Sequence, residues 1–327
     1  MAPALIHNRA ISRSSKVSIG GVMTALEHNP SGRMVYYPAR YERGMGLLLV
    51  RYAELGLKSQ GVRRYFERVL TYNMMAALAK EKVEAFIDCQ YGRLFVSTDR
   101  PTEAAAVLRR VFGISSLSLV DECGSDLASI RKLALKIADP LLKDGSSFRV
   151  EARRNGTHTY TSMDLARDAG EEIFEAARHR GVRVDLHHPD QIIYVEVREN
   201  RAYIFSEYLN GPGGLPMGSQ GKVVAIMNER KDALAAWMMM KRGCRVLFLG
   251  KNKDAMRIIE GWDPEVRKIS GVLGKHVYLG KAHGVVVGWS IDELASAERL
   301  DVDVPVYHPL IGMDKEEVER RLKEISE

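Results

Sequence analysis

The segment GPGGLPMGSQGKVVAIMNERKDALAAWMMMKRGCRVLFLG, residues 211–250, decides how the last third of the chain folds. A glycine-rich opening leads into the apolar run Val223–Ile226, a polar turn, an apolar helix ending at Arg242 and a second apolar run, Val246–Leu249. Short apolar runs without polar alternation, joined by a helix, read as a βαβ unit with parallel strands covered on both faces. A ligand in such a unit sits beyond the carboxyl end of the first strand, against the amino end of the helix. A phosphate-binding turn there needs glycines, so that backbone N–H groups can close on the anion, and a Ser or Thr hydroxyl. This turn reads Met227, Asn228, Glu229, Arg230, Lys231, Asp232. It has no glycine, and Glu229 brings a negative charge to the place of the phosphate.

The residues on either side resemble the tRNA 4-thiouridine synthases, in which GPGGLP-x-G leads through a strand to SGGxDS and an AAY-x-MMKRG helix. Before the turn the match runs through Gly211, Pro212, Gly213, Gly214, Leu215, Pro216 and Gly218. After it come Ala235, Ala236, Met239, Met240, Lys241, Arg242 and Gly243. The register has no gap, and all six SGGxDS positions are replaced. The resemblance implies a PP-loop ATP-pyrophosphatase domain whose nucleotide loop, Met227 to Asp232, is degenerate. Arg230 and Lys231 near a helix amino end leave residual anion binding as an alternative.

Composition sets the wider frame. The 327 residues are 46% apolar and 28% charged, ordinary for a globular protein of two or three domains, and no apolar run has membrane-spanning length. Cys89, Cys123 and Cys244 form neither a CxxC pair nor a disulfide framework, which suits a reducing cytoplasm. The histidines His187, His188, His276, His283 and His308 show no metal-ligand spacing, so no metal is expected. The formal charge of +6 is uneven: residues 1–45 carry six basic and two acidic residues, 46–150 sixteen and twelve, 151–220 eight and eleven, 221–327 eighteen and seventeen. Any nucleic-acid surface must therefore be local.

Residues 1–45 lack sustained periodicity and read as a flexible or mis-started tail. From residue 46 to 122 the pattern βαββαβ predicts a ferredoxin-like module, with a helix over about 61–79 whose apolar face includes Val62, Phe66, Leu70 and Met74. Residues 123–209 form a second module: helix, strand 147–153, helix 162–179 with Ser162 at its N-cap, and the hairpin 191–197 with 202–208. Residues 210–222 read as a hinge-like linker, and 223–327 as the shortened parallel-sheet α/β domain. Arg149, Arg153, Arg154, His158 and Tyr160 gather at one strand exit, offering phosphate partners and a ring on which an unstacked base could lie.

Both modules extend the resemblance. RYAELGLKSQGVRRYF is similar to the opening RYGEI-x-LKG-x-NR-x-x-F of the thiouridine synthases, which implies RNA-facing roles for Lys58, Arg63 and Arg64. SSFRVEARRNGTHTYTSMDLARDAGEEI resembles the THUMP RNA-binding domain through Phe148, Val150 and Arg154, with Glu151 where that family has a basic residue. PVYHPLIGMDKEE, starting at Pro305, resembles the family's close. In the family, ATP activates the uridine carbonyl and a cysteine persulfide delivers sulfur. Here the loop is replaced, no cysteine follows Cys244, and the sequence holds no rhodanese-like segment. The expectation is a tRNA-binding scaffold without catalytic residues or a cofactor, holding the acceptor end and docking a sulfur-transfer partner or its own copy away from any membrane. The alternative is a sulfurtransferase still active with a partner, using ATP and Mg.

Overall fold

The computed structural model describes residues 45–52, 59–90, 92–271, 273, 281–296 and 300–326, together with the backbone of three strands further upstream. Lys58 lies outside the described residues. The upstream strands, Ser15–Ile19 (β1), Val22–His28 (β2) and Met34–Tyr37 (β3), form an antiparallel meander. The expectation of a flexible tail is thus replaced, over these segments, by strand backbone. Backbone pairing needs no side-chain periodicity, so these strands leave no periodic pattern to read.

The first module follows its predicted order: Gly46–Tyr52 (β4), Gln60–Lys80 (α1), Phe86–Gln90 (β5), Arg93–Thr98 (β6), Pro101–Leu108 (α2) and Ile114–Gly124 (β7). Its strands lie in the order β5, β6, β4, β7, with β3 added outside β5. Leu48, Val50, Leu70, Met74, Leu94 and Val96 are fully buried beneath α1 and α2. Val62, expected in this face, is 42% exposed. It falls in the first turn of α1, ahead of the packed stripe.

The second module comprises Leu127–Ala138 (α3), Ser147–Asn155 (β8), Ser162–Ala177 (α4), Arg183–Val184 (β9), Gln191–Arg198 (β10) and Arg201–Phe205 (β11). Asp126 caps α3 by accepting the Ser129 N–H at 2.9 Å. The cap of α4 is Thr161, one residue before the expected Ser162. Thr161 and Asp164 form a reciprocal capping box, which needs an acidic residue three positions on.

Strand β7 is eleven residues long and belongs to both modules, pairing with β4 through Leu47↔Val120 and with β11 through Arg201↔Gly124. One sheet therefore runs from β5 to β9 across the two modules. Residues 209–210 (β12) return to pair with β7.

The linker is fastened on both sides rather than free to hinge. Gly213 N–H donates to Ile114 O at 2.8 Å, and Leu215 N–H to Lys241 O at 3.0 Å. A side chain at Gly214, φ 73°, would put its Cβ 2.1 Å from Lys241 O, so glycine is required where the linker crosses the helix end.

The last domain holds Lys222–Met227 (β13), Asp232–Lys241 (α5), Arg245–Gly250 (β14), Lys253–Glu260 (α6), Arg267–Ile269 (β15), Val285–Val286 (β16), Ile291–Ser296 (α7), Val306–Tyr307 (β17) and Lys315–Ser326 (α8). All five strands are parallel, in the order β15, β14, β13, β16, β17, so β13 flanks the point where the strand order reverses. Ala233 to Ala236 and Met240 are fully buried in the core between this sheet and α6 and α8. Phe112 of the first module enters that core, its ring 5.5 Å from Trp237 and 5.3 Å from Trp262. Among the described residues, no helix is long and apolar enough to cross a membrane.

Candidate functional site

The crevice beyond the carboxyl ends of β13 and β16 is where a doubly wound sheet presents its ligand site. The chain fills it with its own groups. Asp232, at the first position of α5, is 7% exposed and accepts both the Asn228 and the Glu229 N–H at 2.8 Å. Those backbone donors at a helix amino end are the groups that would otherwise meet an anion. Burial raises the Asp232 carboxyl above the ordinary aspartate range despite these bonds.

Neighbouring contacts close the turn further. Lys231 forms an ion pair with Glu293 of α7 and lies 3.5 Å from Glu229. The Glu293 carboxyl, hydrogen-bonded by Lys231 and by the Ser290 N–H, is held down to about 2. Arg230 donates to Ser326 Oγ at 3.3 Å, and Asn252 Nδ2 to Asn228 O at 3.2 Å. Met227 is fully buried. A Cβ at Gly288, which follows β16, would stand 2.3 Å from Asp232 Oδ1, so glycine lets the opposite wall close on the carboxylate. Lys231, expected as an available cation, is thus committed to carboxylates, and Arg230 makes its described hydrogen bond to Ser326.

The RNA-facing cluster predicted around β8 divides in two. Alternation along the strand turns Phe148, Val150 and Ala152 toward α3 and α4. Arg149 and Arg153 share the opposite face with Glu151. Arg149 is half-buried, paired with Glu151 and donating to Leu186 O at 2.7 Å. The Arg153 side chain is exposed and makes no hydrogen bond or ion pair among the described residues, as is also true of the Arg64 side chain on α1. Arg63 is half-buried.

On the helical side, Arg154 donates to Gly156 O at 3.0 Å and a His158 ring nitrogen lies 2.6 Å from Glu199 O. Tyr160, expected as a stacking platform, is 9% exposed and donates its hydroxyl to Ser125 O at 2.5 Å. It packs in the core of the second module, because the loop before α4 needs an apolar anchor more than the surface needs a ring.

The same sheet face carries groups that the sequence reading missed. Glu196 of β10 is 4% exposed and is contacted by three arginines: Arg51 of β4 at 3.3 Å, Arg93 of β6 at 2.9 Å and Arg198 at 2.8 Å. Burial opposes ionisation of Glu196, yet the three cations lower its carboxyl below the ordinary range. The Arg51 guanidinium also lies 4.7 Å from the Phe205 ring centre and 4.5 Å from that of Tyr208. The alternation of Tyr194, Glu196 and Arg198 along β10 was the available sign. Arg198 pairs in register with Arg201, whose exposed side chain is ion-paired with Glu122, so Arg153 is the exposed cation of this face without a described ion pair.

Comparisons with known proteins extend this picture. Residues 47–118 match the ThiI ferredoxin-like domain, and residues 124–207 match the THUMP domain. The chain is 32% identical to the probable tRNA sulfurtransferase of Methanosarcina acetivorans, over 85% of this chain and 80% of that one. It is 34% identical to the probable tRNA sulfurtransferase of Thermococcus kodakarensis, over 83% and 85%. A crystal structure from Pyrococcus horikoshii Ot3 superposes with a TM-score of 0.74 at 30% identity, covering 86% of this chain and 100% of the other. A 4-thiouridine synthetase, solved in complex with RNA and bound ATP, superposes with a TM-score of 0.71 at 23% identity, covering 86% and 85%, and shares the fold.

Proposed function

The chain belongs to the tRNA sulfurtransferase family, and from that premise we propose that it is a cytoplasmic tRNA-binding protein that has given up adenylation and sulfur transfer and serves tRNA modification as a scaffold. The observation that carries the proposal is the Asp232 carboxylate on the Asn228 and Glu229 N–H groups. A phosphate entering there must displace a buried anion from its donors and then meet Glu229. Two of the three cysteines, Cys123 and Cys244, support the same reading. Delivery of sulfur requires an accessible, low-pKa thiol, whereas Cys244 is buried and its thiol is raised by burial. Desolvation likewise pushes the Cys123 thiol up to about 11.

The ferredoxin-like and THUMP modules supply the tRNA contact in this reading, through Arg64 and Arg153, and the acceptor end is the part they hold. The last domain then docks a sulfur-transferring partner or a second copy. The competing reading, favoured by the intact parallel sheet and by the names of the relatives, is an ATP-dependent sulfurtransferase that uses ATP and Mg with help from a partner.

Purified protein with α-phosphate-labelled ATP and bulk tRNA separates the two. The expected result is retention of tRNA on a filter without AMP release or label transfer. Label on the RNA above a control without protein overturns the scaffold reading.

A further inference from the structure

A groove lies at the end of the last sheet away from the crevice that Asp232 fills. Three neighbouring parallel strands each begin on a basic residue: Lys222 in β13, Arg245 in β14 and Arg267 in β15. Lys222 stands beside Arg245 in register, and Arg267 beside Leu247. Parallel strands run in one direction, so their first residues gather along one edge of the sheet. Helix α1 forms the facing wall with Arg68, Val69 and Tyr72, leaving a cleft of about 570 Å³ between the first module and the last domain.

The charges in this groove do not cancel. Its lining holds four basic residues, Arg68, Lys222, Arg245 and Arg267, against one acidic residue, Glu265. Glu265 is committed, accepting from Arg245 Nη1 at 2.8 Å and from the Tyr72 hydroxyl at 3.1 Å. Arg245 is spent on Glu265 and on Asp263, 3.6 Å away. The Arg68, Lys222 and Arg267 side chains are exposed and make no hydrogen bond or ion pair among the described residues. Cations gathered around one cleft without acidic partners focus a positive field, and a polyanion is the body that such a field attracts.

Helix α1 ties the groove to the first module's exposed arginine. Arg64, Arg68 and Tyr72 recur at every fourth position and so share one face of the helix, about 12 Å from first to last. Tyr72 is 37% exposed, and Val69, Met217 and Leu247 form the apolar floor. Cations along a groove, with a ring and an apolar floor between them, suit a nucleic-acid strand: the cations meet phosphates, and the ring and floor meet sugar or base. An acidic protein segment would use the cations alone.

We propose that this groove holds the sugar-phosphate backbone of an RNA strand, so that the last domain grips RNA at the amino ends of its strands. The assignment rests on the tRNA-binding reading above, adds a contact made by the last domain itself, and does not depend on the loss of catalysis.

Lysine acylation of the full chain, read by peptide mass spectrometry, tests the groove without any substitution. Saturating bulk tRNA is expected to slow modification of Lys222 about fivefold or more and to leave Lys323, exposed on α8, unchanged. Lys222→Glu combined with Arg267→Glu should weaken retention of tRNA on a filter about tenfold or more at low salt, with a salt dependence shallower by about two phosphate contacts. Lys253→Glu combined with Lys323→Glu makes the same change in net charge outside the groove and should leave retention unchanged. Arg68→Glu, on the facing wall, should act like the groove variant and keeps the proposal testable if that variant is poorly folded. Unaltered Lys222 reactivity under tRNA that the protein does retain overturns the groove assignment alone. Equal losses in the two double variants assign the effect to net charge and also overturn it. Polyglutamate protecting Lys222 as fully as tRNA assigns the groove to an acidic protein segment, with the same consequence. Failure of the unsubstituted protein to retain any tRNA overturns the tRNA-binding reading itself, and the groove assignment with it.

Discussion

The carboxylate of Glu196, in the THUMP module, lies 3.3 Å from the guanidinium of Arg51, in the ferredoxin-like module, and both side chains are more than nine-tenths buried. The pair joins the modules across β7, with Arg93 and Arg198 completing the charge balance. Removing one partner of a buried ion pair costs about 3–5 kcal/mol, because the remaining charges stay desolvated. Glu196→Gln should therefore lower stability by about 3 kcal/mol in urea denaturation. The folded-state pKa of Glu196 lies below its unfolded value, so its contribution is present above about pH 4.5 and is lost as pH falls through the folded value. The variant should be correspondingly less sensitive to acid over that range.

Gly288→Ala places a methyl group against Asp232, where the Cβ would be 2.3 Å from Oδ1. Overpacking of this kind costs about 1–3 kcal/mol. Thermal melting should show the loss, and amide exchange at Asn228 and Glu229 should speed up as the Asp232 bonds are strained.

The Lys231–Glu293 pair predicts an acid response of the turn. The Glu293 carboxyl titrates at about 2 in the folded chain, against 4.5 in its unperturbed state. Its contribution is thus complete above about pH 4.5 and disappears as pH falls toward 2. Lys231 side-chain resonances followed by NMR should move in that interval, and Glu293→Gln should remove the response.

Arg153→Ala combined with Arg64→Ala removes two exposed, uncommitted cations while leaving the core intact. Affinity for tRNA should fall about tenfold or more at low salt, with a shallower dependence on salt and an unchanged melting temperature. Unaltered affinity would place the RNA surface elsewhere.

Tyr160→Phe separates a structural from an RNA-binding role. Loss of the hydrogen bond to Ser125 O should cost about 1 kcal/mol of stability. Affinity for tRNA should not change.

The amino-acid sequence by itself determined the order of the modules, the parallel βαβ unit and a turn after its first strand, Met227 to Asp232, that holds neither glycine nor serine. These depend on local quantities: the spacing of apolar residues along each element, and the φ and side-chain demands of a short turn. Arg153 and Arg64, singled out by charge and residue type, are exposed. What the tertiary structure decided was partnership. Asp232 was visible as a departure from Ser, but only the fold of the turn brings its carboxylate back onto the N–H groups four and three residues earlier. Tyr160 and Arg149 read as surface groups until long-range contacts with Ser125 and Leu186 drew them in. Glu196 stands 145 residues from Arg51. Burial and pairing at such separations follow from packing, which no local pattern encodes.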